Sequence, residues 1–101
     1  MGRVQIKINP SLASMATSTW RHAYLTVDYE LDGAKTIGDV LSAFTREHNE
    51  YDRIFFDPAT GKISDDINVT LNRTMLVSAK ADKVPVKDGD AIIIMPIYEG
   101  G

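Results

Sequence analysis

The sequence predicts a single α+β domain in which a mixed sheet of four to five strands carries one main helix packed on one face. Three observations predict it. Val4, Ile6 and Ile8 alternate with Arg3, Gln5, Lys7 and Asn9, the period of a strand with one buried side. Ile37, Val40, Leu41 and Phe44 fall at i, i+3, i+4 and i+7, the stripe of an amphipathic helix. Ala91-Ile92-Ile93-Ile94-Met95 is apolar on both alternate sets, as expected of a central strand buried on both faces.

The elements follow in order. The first strand stops at Asn9-Pro10, because proline cannot donate to a ladder. A second strand is expected over Ala23 to Leu31, with Leu25, Val27, Tyr29 and Leu31 on one side and Thr26, Asp28 and Glu30 on the other. The stretch between, Pro10 to His22, is rich in Ser, Thr and Ala and long for a hairpin. It is expected to cover an edge or form a flap, with Leu12, Met15 and Trp20 tucked beneath it. Asp32-Gly33 signals a turn. Thr36 is placed to cap the helix, with Asp39 in the position of a capping-box acid. The helix should reach about His48, with Asp39, Ser42, Arg46 and Glu47 on its wet side.

Beyond it, Arg53 to Phe56 is expected to be a short extended segment, closed by a turn at Asp57-Pro58-Ala59-Thr60-Gly61. Tyr51, Phe55 and Phe56 form an aromatic group of which at least one phenylalanine should enter the core. Short strands are expected at Ile67 to Leu71 and Met75 to Ser78, separated by Asn72-Arg73-Thr74. Lys80 to Lys87 is mostly polar, and Asp88-Gly89-Asp90 makes a tight turn into the last strand. If the first and last strands lie side by side and parallel, the helix crosses one face of the sheet. That arrangement is a ubiquitin-like β-grasp. Residues 1–96 would form the domain and residues 97–101 a flexible tail.

Composition excludes several functions. With 101 residues and a hydrophobic content of 44%, the chain can bury one core without staples. A net charge of −3 leaves no basic stripe to neutralise phosphates, so a sequence-independent nucleic-acid role is not expected. There is no cysteine, which removes disulfides, thiolate metal sites and cysteine nucleophiles. His22 and His48 are the two histidines and lack metal-ligand spacing, so neither a metal nor any other cofactor is expected. Asp65-Asp66 and the Asp88/Asp90 pair read as turn formers rather than acid–base groups. No phosphate-binding glycine loop occurs, and no nucleophile–base set can be assembled, so the chain is not expected to be an enzyme. The alternating start is unlike a signal peptide, and no run is long enough to span a bilayer; a cytoplasmic location without membrane contact is expected.

The chemistry that remains is at the end. Pro96 closes the last strand, regular pairing should fail near it, and Ile97-Tyr98-Glu99-Gly100-Gly101 follows. A carboxylate is a poor electrophile until AMP is attached to it. The enzyme that attaches AMP must admit the tail through a narrow channel, where glycine has no Cβ to clash. A persulfide attacking such an adenylate leads to a thiocarboxylate, a nucleophile able to deliver sulfur. The bland reading of a terminal Gly-Gly is a frayed end or a cloning remnant.

Asp88-Gly89-Asp90-Ala91-Ile92-Ile93-Ile94-Met95-Pro96-Ile97-Tyr98-Glu99-Gly100-Gly101 resembles the C-terminus of the MoaD/ThiS sulfur-carrier family. Thr36-Ile37-Gly38-Asp39-Val40-Leu41 resembles that family's helix start, and Leu76 to Lys83 roughly matches its short strand and turn. The resemblance implies a β-grasp carrier in which Gly101 is adenylated and thiocarboxylated, with Gly100, Glu99 and Tyr98 giving access to it. It implies two partners: an adenylating enzyme of ThiF/MoeB type, docking on the apolar sheet face, and a downstream sulfur-accepting synthase for molybdopterin, thiamine or another product. Pro10 to His22 and Arg53 to Ile67 are longer than the family pattern. Two other readings stay open: a ubiquitin-like modifier joined to target lysines through Gly101, and a non-catalytic interaction module.

Overall fold

The computed structural model describes residues 2–17, 23–76 and 78–97. Its strands are β1 (Arg3–Ile8), β2 (Leu25–Glu30), β3 (Ile67–Leu71), β4 (Thr74–Leu76) and β5 (Ala91–Pro96). Its helices are α1 (Pro10–Thr17), α2 (Ile37–Glu47), α3 (Asp52–Phe55) and α4 (Ser78–Ala81), with a 3-10 turn at Asn49–Tyr51. The sheet order is β2-β1-β5-β3-β4. β1 and β5 run parallel in the middle, through Ile6↔Ile92 and Ile8↔Ile94, and the other pairings are antiparallel. This is the expected β-grasp arrangement.

One face of the sheet is filled. Val4, Ile6 and Ile8 of β1, Ile92 and Ile94 of β5, and Ile67 and Val69 of β3 meet Ile37, Val40, Leu41 and Phe44 of α2 in one core. Each such side chain removed from water stabilises the fold by about 1.5–3 kcal/mol. The capping box forms as expected: the Asp39 amide donates to Thr36 Oγ1 (3.1 Å), and the Thr36 amide donates back to Asp39 Oδ2 (3.1 Å). The next two amides of the first turn find partners outside the helix. Ile37 N–H donates to Val84 O (2.9 Å) and Gly38 N–H to Asp82 O (2.9 Å). No donor of the first turn is therefore left unpaired, which is what a helix start packed against another segment requires.

The structure corrects the sequence reading in five places. Pro10 opens a helix rather than a structureless connection: Asn9 Oδ1 accepts from Ser11 N–H (2.8 Å), and Pro10 occupies the first helical position, where no N–H is needed. Leu12 is buried beneath α1 as expected, but Met15 is 69% exposed, and Trp20 lies outside the described residues. Arg53 to Phe56 is not extended. Helical turns bring Tyr51 and Phe55, four residues apart, onto Phe44 at ring distances of 5.5 and 5.9 Å; an extended chain would hold them about 13 Å apart, too far for both to meet one ring. The second short strand is Thr74–Leu76, and Ser78 already belongs to α4, which drives Ala81 into the core. Finally, β5 is central but buried on one face only. Ile92 and Ile94 have no exposure, whereas Ile93 and Met95 are half-buried, because no described element covers the sheet opposite α2.

Candidate functional site

The site is built where β5 leaves the sheet. Upstream, the Asp88-Gly89-Asp90 turn fixes its start. Asp88 Oδ1 accepts from Arg3 N–H (2.9 Å), Gly89 N–H donates to Arg3 O (2.8 Å), and the buried Asp90 carboxylate accepts from Lys87 N–H (2.9 Å) and Asn72 Nδ2 (3.1 Å). Both acids are thus turn formers, as their sequence context suggested. Downstream, β1 and β5 part company. Their last aligned pair is Ile8↔Ile94, and after Asn9 N–H donates to Ile94 O (2.9 Å) the β1 chain turns away into α1.

Met95 and Pro96 therefore have one strand neighbour, β3, through Asn68↔Met95 and Ile67↔Pro96. Pairing was expected to fail near Pro96. It persists for one residue more, since Ile97 N–H donates to Asp66 O (3.0 Å). Ile97 is 40% exposed. So the strand that leads to the tail is anchored in the core at Ile94 and held along one side by its end. Tyr98, Glu99, Gly100 and Gly101, the residues singled out as the reactive tail, lie outside the described residues.

The uncovered sheet face adjoins this exit. The pairings Lys7↔Ile93, Thr70↔Ile93 and Thr70↔Met75 set those four residues in one row across β1, β5, β3 and β4. Met95 stands one step nearer the tail on the same face, and Met75 is 63% exposed. A mainly apolar strip thus runs from Met75 across Thr70 to Ile93 and on through Met95 toward the end of β5, flanked by Lys7 and Asn68. Adaptable methionines beside a rigid isoleucine suit a partner surface.

The remaining candidates have structural work. His48 closes α2, its N–H donating to Phe44 O (2.8 Å) and its ring lying 4.6 Å from that of Phe44. His22 lies outside the described residues. No group of three or more His, Asp or Glu is placed to hold a metal ion among the described residues. No described helix is long and apolar enough to cross a membrane. Asp39 titrates below its ordinary value because the backbone amides of Lys35 and Thr36 donate to its carboxylate, which belongs to the cap rather than to catalysis.

A family model described as the ThiS family matches residues 23–101. The chain belongs to the ThiS family. The matched span runs from just before β2 to Gly101 and leaves β1 and α1 outside it. No curated protein sequence matches this ThiS-family chain. Among solved structures, SAMP1 from Haloferax volcanii is similar with a TM-score of 0.73 and 28% identity, over 99% of this chain and 100% of that one. SAMP1 from Methanosarcina acetivorans, a small archaeal modifier protein, gives 0.68 and 24%, over 100% and 98%. A chain of the Amycolatopsis orientalis BexX/CysO complex gives 0.72 and 20%, over 97% and 99%. The last two likenesses speak for the fold alone.

The sequence reading found the turn, the capped helix and the last strand of this ThiS-family chain, but missed how its exit is flanked. α1 packs Leu12 and Ala13 under the helix side of β5's end. The signal was present at Asn9-Pro10-Ser11, an N-cap followed by proline.

Proposed function

We propose that this protein is a sulfur carrier whose Gly101 carboxylate is adenylated and converted to a thiocarboxylate for cofactor biosynthesis. The observation that carries the reading is the family match that continues through the end of β5 to Gly101. Residues 1–96 act as the rigid body and residues 97–101 as the arm, tied at its root where Ile97 N–H donates to Asp66 O. In the first step the carboxylate oxygen attacks the α-phosphorus of ATP and pyrophosphate leaves. In the second, a persulfide sulfur of the donor attacks the acyl carbon, the C–S bond forms and AMP departs. A second thiol then cleaves the S–S bond, leaving the thiocarboxylate on Gly101. The chain's own contribution is presentation: a glycine pair that enters a narrow channel, on a strand anchored at Ile94 and ending beside an apolar face.

The partners in this reading are an adenylating enzyme of ThiF/MoeB type, docked on the Met75–Ile93–Met95 strip, and a synthase that consumes the sulfur for a molybdopterin- or thiamine-type product in the cytoplasm. The chain itself acts as carrier rather than enzyme. The test is intact-mass spectrometry after incubation with ATP, a cognate activating enzyme and a sulfur donor. The expected gain is the difference between one sulfur and one oxygen; an unchanged mass contradicts the proposal.

The likeness to H. volcanii SAMP1, a small archaeal modifier protein, favours a second use of the same activated carbonyl: transfer of Gly101 to a lysine amine of a target protein. Covalent ladders in a lysate of the native host that disappear on deleting Gly101 support this use. Their absence restricts the protein to sulfur.

A further inference from the structure

A second surface lies on the other side of the molecule. β2 is an edge strand, paired with β1 on one side alone. Across that ladder Leu31 N–H donates to Gly2 O (2.9 Å). Antiparallel alternation then turns the backbone groups of Leu25, Val27 and Tyr29 toward β1, and those of Thr26, Asp28 and Glu30 outward. The outward groups bond to no described residue. The opposite edge, β4, offers only three residues; β2 offers six.

Beside this edge two grooves meet. One, of about 590 Å³, lies between the end of β2, the Asp32–Ala34 turn and α2, and Gly33, Ala34, Ser42 and Ala43 keep its walls low. The other, of about 400 Å³, continues along β2 to His48 and shares Tyr29, Asp32 and Glu47 with the first. The shared rim is one-signed. Asp32, Asp39 and Glu47 stand on the α2 side of the grooves against the cation Arg46, while Asp28 and Glu30 are exposed on the other face of β2. Asp39 is held by the helix cap, and Glu30 has a loose, exposed ion pair with Arg3 at 3.5 Å. Asp28, Asp32 and Glu47 form no ion pair among the described residues.

An unpaired edge accepts another strand, and the charges decide which. A second copy pairing antiparallel through β2, centred on Tyr29, would set Asp28 of each copy against Glu30 of the other, and centred on Asp28 would set Asp28 against itself, a like-charge opposition that weakens a sheet. A basic strand meets acids whichever face its cations take, Asp28 and Glu30 on one side and Asp32 and Glu47 on the α2 side. We propose that the free edge of β2 receives an extended segment of another protein with Lys or Arg at alternate positions. It adds as a sixth strand through the outward groups of Thr26, Asp28 and Glu30, and its cations lie over the groove rimmed by Asp32 and Glu47. This surface is independent of the tail chemistry, and a chain lacking Gly100 and Gly101 binds the segment equally.

The probe is the blocked heptapeptide Lys-Val-Lys-Val-Lys-Val-Lys, followed by amide NMR and calorimetry with the full chain. Shifts should centre on Thr26, Asp28 and Glu30, with new exchange protection of the Asp28 amide. Asp28→Pro removes an outward donor without touching the β1 ladder, and Asp32→Asn with Glu47→Gln removes two rim charges. Each change should weaken binding by about tenfold. Retained cross-strand contacts between Val4 and Tyr29 verify the Asp28→Pro fold. A peptide N-methylated on alternate residues, which leaves the protein untouched, should lose binding. The proposal is overturned by equal binding of the methylated peptide, by shifts on the Ile93–Met95 face, by no binding at millimolar peptide, or by a dimer of the chain joined through β2.

Discussion

Gly38 is the residue at which sequence pattern and packing meet, and replacing it with alanine tests that connection. A Cβ built on Gly38 falls 2.7 Å from Asp82 O and 3.1 Å from Asp82 Cβ. The same backbone oxygen accepts the Gly38 amide at 2.9 Å, and the neighbouring Ile37–Val84 bond holds the rest of the segment. Because the close atom belongs to backbone, alanine cannot be accommodated by swinging a side chain aside. Overpacking of this kind costs about 1–3 kcal/mol. Loss of one backbone hydrogen bond costs about 1 kcal/mol more, and alanine returns about 1 kcal/mol of helix propensity. Gly38→Ala is therefore expected to destabilise by about 1–3 kcal/mol, seen as a Tm lower by roughly 5–20 °C in thermal unfolding followed by circular dichroism. An exposed mid-helix glycine would instead gain stability on the same substitution. If Gly38→Ala melts at or above the wild-type temperature, the close docking of α2 on Asp82–Val84 is wrong.

Two further outcomes follow from the same structure. The Asp39 carboxyl titrates below its ordinary value of 3.8 because the Lys35 and Thr36 amides donate to it, so its contribution is present above that pH and is lost as pH falls through the depressed folded value. Asp39→Asn should lower Tm at neutral pH, and the gap from wild type should close in melts taken below pH 3.8; a gap that stays constant to low pH contradicts the charged cap. Met75→Glu, at a side chain 63% exposed, should change stability by less than about 0.5 kcal/mol. If the proposed activating enzyme docks on this face, the change should nevertheless lower its kcat/KM for this protein by about tenfold, since a charge is placed in an apolar contact. Unaltered kinetics would move the docking surface off the open sheet face.

The parts legible in the sequence were those whose signal is local and repeated. β1 shows its alternation within six residues, and α2 combines a stripe with a complete capping box. β5 is read from one apolar run between a turn and a proline, and its central place follows from that. Short helices were not legible, because one turn carries no periodicity to count. α3 exists because Tyr51 and Phe55 must both reach Phe44 on the neighbouring helix, and α4 because Ala81 must enter the core just before Asp82 and Val84 accept from the start of α2; neither reason is a repeat within the segment itself. The half-open face of β5 was missed for a related reason. Apolar residues on both sides of a strand indicate burial or a partner, and only the absence of a described second layer separates the two. The free edge of β2 was unreadable until its neighbours were known. The tail itself was read from residue chemistry, and the family match through Gly101 supports that reading without touching its geometry.

The proposed activation of Gly101 is most directly tested by ATP–pyrophosphate exchange, since exchange requires an acyl adenylate on this chain. With a cognate activating enzyme, the full chain should support exchange, and chains ending at Gly100 or at Glu99 should support none while melting at the same temperature. Exchange that continues at the full rate after Gly100 and Gly101 are removed would place the reactive group elsewhere and contradict the account.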